Sequence, residues 1–156
     1  MTTRRRDLAL MVPGEAEYLC LVRDLVTTVA RKAGFPDCRI GEIEIAVDEA
    51  CANIIEHAYG RRPPGEPHVG KPQAIAVRLA LFPDRIEVRI RDRGRCFPPE
   101  MASSLDIAEF AASGRRRGIG SYIIRSFVDE VHHSYRPGRG NELTLVKYLA
   151  KGVPGG

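Results

Sequence analysis

The chain has 156 residues, a net charge of +4 at pH 7 and 44% hydrophobic residues. This length is typical of one domain with its own core, and the composition excludes a disordered or fibrous chain. The longest stretches without a charged side chain have seven residues, whereas a membrane-spanning helix needs about 20 apolar residues. Asp7 follows the N-terminal arginines where a secretory signal would have an apolar region. We therefore expect a cytoplasmic protein in which residues 1–156 form a single domain, without membrane association.

Neither the basic charge nor the cysteines indicate a specialised class of protein. Arginine supplies 20 of the 24 basic residues, but the arginines are spread over the chain, and aromatic residues that stack on bases make up only 6%. The cysteines lack the Cys-x-x-Cys spacing of zinc and redox sites. We expect no direct nucleic-acid binding, and we interpret the cysteines as structural thiols in a reducing compartment: Cys20, Cys38, Cys51 and Cys96.

The first third of the chain is predicted to contain a strand and two helices. Leu8–Val12 is short and apolar, as is typical of a strand. Apolar residues then recur at helical spacing over Glu15–Lys32, which a Gly-Phe-Pro sequence ends, and again over Asp37–Ala58. The positions expected to face the core are Leu19, Val22, Val26, Val29 and Ala30 in the first helix, and Ile40, Ile43, Val47, Ala50, Ile54 and Ala58 in the second.

The rest of the chain is predicted to contain two pairs of strands with a helix between them. Gly60–Pro72 is rich in Pro and Gly and is interpreted as a loop. The segment 93–117 is interpreted as a lid, because connections of this length are usually functional or disordered. The predicted elements are strands at Ala74–Phe82, Arg85–Arg91, Val131–Tyr135 and Glu142–Leu149, and a helix at Ile119–Glu130. Their order predicts an α/β (α+β) two-layer sandwich, with helices on one face of a mixed, mostly antiparallel sheet.

The first candidate site residues lie in the second helix. Glu49 and Asn53 are four residues apart and therefore occupy neighbouring turns of one helix face, beside the apolar stripe. A carboxylate and an amide oxygen at the edge of the core suit a magnesium site, because Mg²⁺ prefers a few hard oxygen ligands together with phosphates and water. The alternative interpretation is an ordinary solvent-exposed pair.

Two glycine-containing segments supply further candidates. Asp92 ends a predicted strand, so its carboxylate could accept a hydrogen bond from an exocyclic amine, while Gly94 admits a ligand close to the backbone. Gly118-Ile119-Gly120-Ser121 opens a helix whose free N–H groups favour anions, and the preceding Arg115, Arg116 and Arg117 can strengthen phosphate binding. Taken separately, the two segments are also compatible with a turn and with a flexible loop that caps a helix.

Taken together, the three segments resemble the ATP-binding fold shared by gyrase and histidine kinases, the GHKL or Bergerat fold. Glu49 and Asn53 are similar to its N box, Asp92-Arg93-Gly94 to its first glycine box and Gly118-Ile119-Gly120 to its second. The sequence looks most like a stand-alone branch, the bacterial anti-sigma factor serine/threonine kinases. The similar motifs are DEACANIIEHAYG, RDRGRCF, RGIGSYIIRSFVDEV and GNELTLVKY.

The resemblance assigns roles to individual residues. Asn53 matches the magnesium ligand of the family, Glu49 its catalytic base, and Asp92 the carboxylate that recognises the adenine amino group. The implied cofactors are therefore ATP and Mg²⁺. The nucleotide-binding residues that the resemblance implies are Asn53, Asp92, Gly94, Gly118, Ile119, Gly120, Ser121, Arg115, Arg116 and Arg117.

The same resemblance implies a function and partners. The expected protein is an ATP-dependent serine/threonine kinase and anti-sigma factor, which sequesters a sigma factor and phosphorylates an anti-sigma factor antagonist in a partner-switching system. A homodimer is expected as well. Two alternatives stay open on the sequence: an ATP-dependent binding switch without kinase activity, and a regulatory kinase of the same fold in a cascade unrelated to sigma factors.

Overall fold

The computed structural model describes residues 5–59, 73–96 and 119–150. In these ranges it contains five β-strands, β1 (Arg6–Pro13), β2 (Ala74–Leu81), β3 (Arg85–Asp92), β4 (Glu130–Arg136) and β5 (Gly140–Tyr148). The α-helices are α1 (Leu19–Lys32), α2 (Asp37–Asn53) and α3 (Ile119–Phe127). The predicted order of strands and helices is confirmed for this part of the chain. The predicted loop 60–72, and the predicted lid from residue 97 onward, lie outside the described residues.

Three helix boundaries differ from the prediction. The first predicted helix begins as a 3₁₀ turn, Ala16–Tyr18, and the second continues beyond Asn53 as a π-helical turn, Ile54–Ala58. The third ends at Phe127 because the chain turns there into β4. In that turn Asp129 N–H donates to the Val146 carbonyl at 2.9 Å, and the Asp129 carboxylate accepts the Tyr148 N–H at 2.8 Å.

The strands form one sheet in the order β1-β2-β3-β5-β4. The two-layer prediction is confirmed, although every described pairing is antiparallel where a mixed sheet was expected. The pairing of β3 with β5 places Asp92, the last residue of β3, directly opposite Asn141 near the start of β5. Two residues 49 positions apart in the sequence therefore meet at one end of the sheet.

The core lies between the helices and one face of the sheet. All the apolar positions predicted to face the core from the two long helices are buried. Alternate residues of the central strands complete the core, and burying each large apolar side chain contributes about 1.5–3 kcal/mol. The fully buried sheet residues include Ile75, Val77, Leu79, Ile86, Val88 and Ile90. Over the described ranges, none of the helices has the length and apolarity that crossing a bilayer requires.

Only one of the four cysteines lies in the core. Cys51 is buried, and its burial, with a smaller contribution from the charge of Asp48, raises the pKa of its thiol to about 12. Cys20, Cys38 and Cys96 are exposed. The interpretation of the cysteines as structural thiols therefore holds for Cys51 and is wrong for the other three, which are not part of the core.

Candidate functional site

The first turn of α3 lies against the two candidate residues of α2. A Cβ atom added to Gly120 would lie 2.8 Å from Glu49 Oε2 and 3.2 Å from Asn53 Oδ1. Gly120 thus allows a close approach that a larger residue would prevent unless both side chains moved. The N-terminus of α3, with its free N–H groups and positive dipole end, therefore lies beside a carboxylate and an amide oxygen.

Asp92 has one oxygen with hydrogen-bond partners and one without. Its side chain is buried, with 2% of its surface exposed. Oδ1 accepts hydrogen bonds from Gly94 N–H at 2.8 Å and from Asn141 Nδ2 at 3.0 Å. Oδ2 is buried and has no hydrogen-bond partner among the residues that the structure describes. A buried acceptor left unpaired costs about 1–3 kcal/mol, so Oδ2 is suited to a ligand that donates an N–H group.

The environment of Asp92 also changes its acidity. Burial raises the pKa of this carboxyl above its ordinary value of 3.8, because desolvation disfavours the charged form. The hydrogen bonds from Asn141 and Gly94, and the nearby His133, act in the opposite direction but do not cancel the effect of burial. Asp92 therefore binds a proton more readily than an exposed aspartate does.

Asn141 is the main site residue that sequence reasoning missed. Its Nδ2 group donates to Asp92 Oδ1 and, at 2.8 Å, to the Arg95 carbonyl, which uses both amide hydrogens. Its Oδ1 lies 3.1 Å from His133 Nε2 and must act as the acceptor, so His133 carries a hydrogen on Nε2. The sequence signal for Asn141 was the segment GNELTLVKY, one of the motifs similar to the family, which begins with Gly140-Asn141. Without the register of β5 against β3, however, the sequence did not indicate which partner Asn141 meets.

The end of β3 is held against the π-helical turn that follows Asn53. A Cβ atom on Gly94 would lie 2.5 Å from the Cβ and the carbonyl oxygen of Ala58, so close packing requires glycine at this position. Arg95 N–H donates to the same carbonyl at 3.1 Å. The Tyr59 hydroxyl accepts from Arg93 N–H at 3.0 Å and donates to the Ala74 carbonyl at 2.6 Å. These contacts set the distance between the candidate adenine and metal positions.

A small cavity connects the two parts of the site. It is lined by Asn53, Asp92, Ser121, His133 and Leu143, among others, and has a volume of about 60 Å³. Since a water molecule occupies roughly 30 Å³, the cavity as it stands holds water but not a nucleotide base. The cavity therefore has to widen before a nucleotide base can enter it.

The structure brings together the predicted site residues that lie in its described part. Glu49, Asn53 and Gly120 meet at the α2–α3 contact, while Asp92 and Ser121 line the cavity. Ile119 is the first residue of α3. The remaining predicted nucleotide-binding residues lie outside the described part of the chain: Arg115, Arg116, Arg117 and Gly118. The roles assigned to these residues stay predictions.

The sequence is similar to several kinases. Serine-protein kinase RsbW of Bacillus velezensis is 30% identical over 154 residues, which cover 96% of this chain and 89% of that protein. Serine-protein kinase RsbW of Listeria monocytogenes is 30% identical over 153 residues, which cover 96% and 91%. These relatives agree with the prediction of a serine/threonine kinase.

The fold is also similar to a solved structure. The crystal structure of the RsbU and RsbW domains of a Mycobacterium tuberculosis protein superposes with a TM-score of 0.63 and 18% sequence identity. The likeness covers 94% of this chain and 33% of the other, so this chain spans about a third of that structure and shares its fold.

Residues 12–147 match the family described as histidine kinase-like ATPase domain. The match includes every candidate site residue from Glu49 to Ser121, and the family implies ATP binding. It also covers most of the chain. The chain therefore belongs to the histidine kinase-like ATPase domain family.

Proposed function

We propose that this protein is an ATP-dependent serine/threonine kinase and anti-sigma factor, with residues 1–156 forming a single ATPase domain. The observation that carries the proposal is the unpaired Oδ2 of Asp92, which is buried beside the cavity that Asn53 also lines. A hydrogen-bond acceptor for the base, on Asp92, and an oxygen ligand for the phosphates, on Asn53, thus belong to residues that line the same cavity. The two RsbW relatives, both named serine-protein kinases, support the choice of reaction.

The adenine of ATP binds at the Asp92 end. The 6-amino group of adenine donates to Oδ2, whereas guanine has a carbonyl oxygen at the same position, and a carboxylate cannot donate to it. Asn141 and Gly94 occupy the other oxygen and so direct the free one toward the base. Selectivity for ATP over GTP follows from this arrangement.

The phosphates bind between α2 and the N-terminus of α3. Asn53 Oδ1 offers a neutral oxygen ligand beside Gly120, which fits the preference of Mg²⁺ for hard oxygens. When bound there, the ion would neutralise phosphate charge. The N–H groups of the first turn of α3 stabilise the same charge. Positioning and electrostatic stabilisation are most of what phosphoryl transfer needs.

Glu49 acts on the incoming hydroxyl. Its carboxylate accepts the proton of a serine or threonine side chain of the partner protein. The hydroxyl oxygen then bonds to the γ-phosphorus, the bond to the β–γ bridging oxygen breaks, and ADP leaves with that electron pair. Glu49 lies one helical turn from Asn53, so the base and the metal ligand reach the same phosphate from one helix face.

The proposed partners are an anti-sigma factor antagonist, which receives the phosphoryl group, and a sigma factor, which the kinase sequesters in the cytoplasm until the antagonist displaces it. A homodimer is part of the proposal. The resemblance of the whole site region to anti-sigma factor kinases supports these partners.

Transfer of radiolabel from γ-labelled ATP to a purified candidate antagonist tests the proposal. Asn53→Ala should lose both Mg-ATP affinity and transfer, whereas Glu49→Gln should keep ATP affinity and lose transfer by about 10²–10⁴-fold. Glu44→Gln, about one and a half turns before Glu49 on the same helix, is the matched control. It should change neither the Mg-ATP affinity nor the transfer of label. If the wild-type protein binds ATP and captures its partner without transferring label, it is a binding switch and not a kinase.

A further inference from the structure

A second and larger concavity lies at the same end of the sheet as Asp92, on the face away from the helices. Its volume is about 910 Å³. The strand register places Ala76, Arg91, Glu142 and Ser134 side by side across β2, β3, β5 and β4, and all four line it. We call this concavity the basic groove. Asp92 and Asn141 border both this groove and the nucleotide site, but the four side-by-side residues take no part in the nucleotide site.

The turn between β4 and β5 forms one wall of the basic groove. Gly140 has a φ of +87°, and a Cβ atom there would overlap the Asp92 carbonyl oxygen and lie 2.7 Å from Arg93 Cα. Only glycine permits both this backbone conformation and this contact. The turn therefore packs directly on the end of β3, which brings Arg136 and Arg139 to the same groove as Arg93.

The charges of the groove are unbalanced. Glu142 pairs with Arg91, and the other acidic residue of the lining, Asp92, is buried. Arg93, Arg136 and Arg139 are exposed, and none of them forms an ion pair with any residue of the described ranges. Three guanidinium groups thus face solvent from one concave surface, which concentrates positive potential there.

The other end of the basic groove is apolar. Met11, on the outer strand β1, has 71% of its surface exposed, and Ala74 and Ala76 lie next to it in the lining. A flexible methionine beside small residues makes a surface that adapts to apolar side chains. The described residues that line the groove include no aromatic side chain on which nucleic-acid bases could stack.

We propose that the basic groove binds an acidic segment of a protein partner, with an apolar side chain of that segment on Met11. The carboxylates of the segment meet Arg93, Arg136 and Arg139, which can each bind a carboxylate through two N–H groups. The inference rests on the proposed function only in taking the partner to be a protein. A segment bound on this face of the sheet leaves the nucleotide cavity on the helix side open.

The test is fluorescence anisotropy without ATP, with a labelled peptide of eight glutamates around a central leucine as the probe. The peptide with glutamine in place of glutamate controls for charge. Binding should weaken with salt, and Arg136→Gln/Arg139→Gln should weaken it by about tenfold. Arg31→Gln/Lys32→Gln on α1 removes the same charge elsewhere and should leave binding unchanged. Met11→Ser should weaken binding of the leucine-containing peptide more than binding of octaglutamate.

Several outcomes would contradict the proposal that the basic groove binds an acidic segment. They are no binding of the glutamate peptide, equal losses in the two double variants, and tighter binding of a 20-base-pair DNA duplex that Arg136→Gln/Arg139→Gln abolishes. If the wild-type protein is a dimer and the double variant is a monomer, a second copy of this chain occupies the groove. ATP affinity, measured on the same samples, reports separately on the nucleotide site.

Discussion

Asn141 Nδ2 donates a hydrogen bond to Asp92 Oδ1 at 3.0 Å, across the β3–β5 pairing. This contact decides which carboxylate oxygen is available to a ligand, because Gly94 N–H and Asn141 together satisfy Oδ1 and leave Oδ2 unpaired. His133 Nε2–H in turn holds the amide oxygen of Asn141. Asn141 is therefore a positioning residue for the proposed adenine site, and His133 positions Asn141.

Replacing Asn141 should weaken ATP binding without unfolding the protein. Asn141→Ala removes the donor to Oδ1, so the carboxylate can rotate, and we expect ATP affinity to fall about tenfold, the equivalent of roughly 1.4 kcal/mol for one lost hydrogen bond. Isothermal titration calorimetry measures the affinity, and circular dichroism checks the fold. ATP affinity that stays at the wild-type value would remove Asn141 from the site.

The two adjacent histidines of β4 provide a matched pair. Both are exposed, but His133 contacts the amide oxygen of Asn141, whereas His132 contacts Glu130 at 3.0 Å. His133→Ala should lower ATP affinity by about three- to tenfold, because the amide of Asn141 loses the contact that fixes its orientation. His132→Ala should not lower it. Equal affinities of the two variants in the same titration would show that His133 does not act through Asn141.

Asp92→Asn should change the nucleotide preference. An asparagine offers an N–H donor where the carboxylate only accepts, so the contact with the 6-amino group is lost while a contact with the 6-carbonyl of GTP becomes available. We expect weaker ATP binding and a smaller ratio of ATP to GTP affinity. Asp24→Asn, an exposed position on α1, is the control and should keep the wild-type ratio. An unchanged ratio in Asp92→Asn would contradict the role of Asp92 in base recognition.

Much of the fold, but only part of the site, could be predicted from the sequence. Helical periodicity predicted the buried positions of the two long helices, because 3.6-residue spacing and core packing select the same residues. The contact of Gly120 with Glu49 and Asn53 required the packing of α3 on α2, which no local pattern encodes. The partner of Asn141 likewise depended on strand register, since a shift of one residue would turn its side chain to the other face.

Gly120→Ala should reduce ATP binding by moving side chains and not by unfolding the chain. The added methyl group would lie 2.8 Å from Glu49 Oε2, so both Glu49 and Asn53 must shift. We expect at least a tenfold loss of Mg-ATP affinity, and Gly120→Val should abolish binding while circular dichroism stays native. The control is Gly41→Ala, because a Cβ atom on Gly41 meets no atom within 4 Å. That change should instead raise the free energy of unfolding by about 0.5–1 kcal/mol, with ATP affinity unchanged.

The acidity of Asp92 predicts how ATP affinity depends on pH. Burial raises the pKa of its carboxyl above the ordinary 3.8, so the folded protein without ligand takes up the proton at a higher pH than an exposed aspartate does. Only the charged form has both oxygens free to accept hydrogen bonds, so ATP affinity should be full above that pKa and fall as the pH drops through it. A titration of affinity against pH, from neutral downward, measures this. The same titration of Asp92→Asn should lose this component, and a matching pH dependence in both proteins would assign it to another group.

Lys147 should prove important for stability because it connects the elements that carry the site. Its side chain lies on β5 and is 6% exposed, and Nζ donates to Glu42 Oε2 on α2 and to the Phe127 carbonyl at the end of α3, both at 2.6 Å. Lys147→Met keeps the apolar stem but leaves both acceptors without their donor. We expect the free energy of unfolding to fall by roughly 2 kcal/mol, less than the about 3–5 kcal/mol for breaking a fully buried ion pair, because Glu42 is partly solvated.

Urea unfolding monitored by circular dichroism measures the effect of Lys147→Met. Lys32→Met, an exposed position in the last turn of α1, controls for loss of a charge and should change stability by less than about 0.5 kcal/mol. In the double variant Glu42→Gln/Lys147→Met, the second substitution should cost less than it does alone, since the two side chains share one contact. Strictly additive losses would mean that Lys147 stabilises the fold through the Phe127 carbonyl and its packing, and not through Glu42.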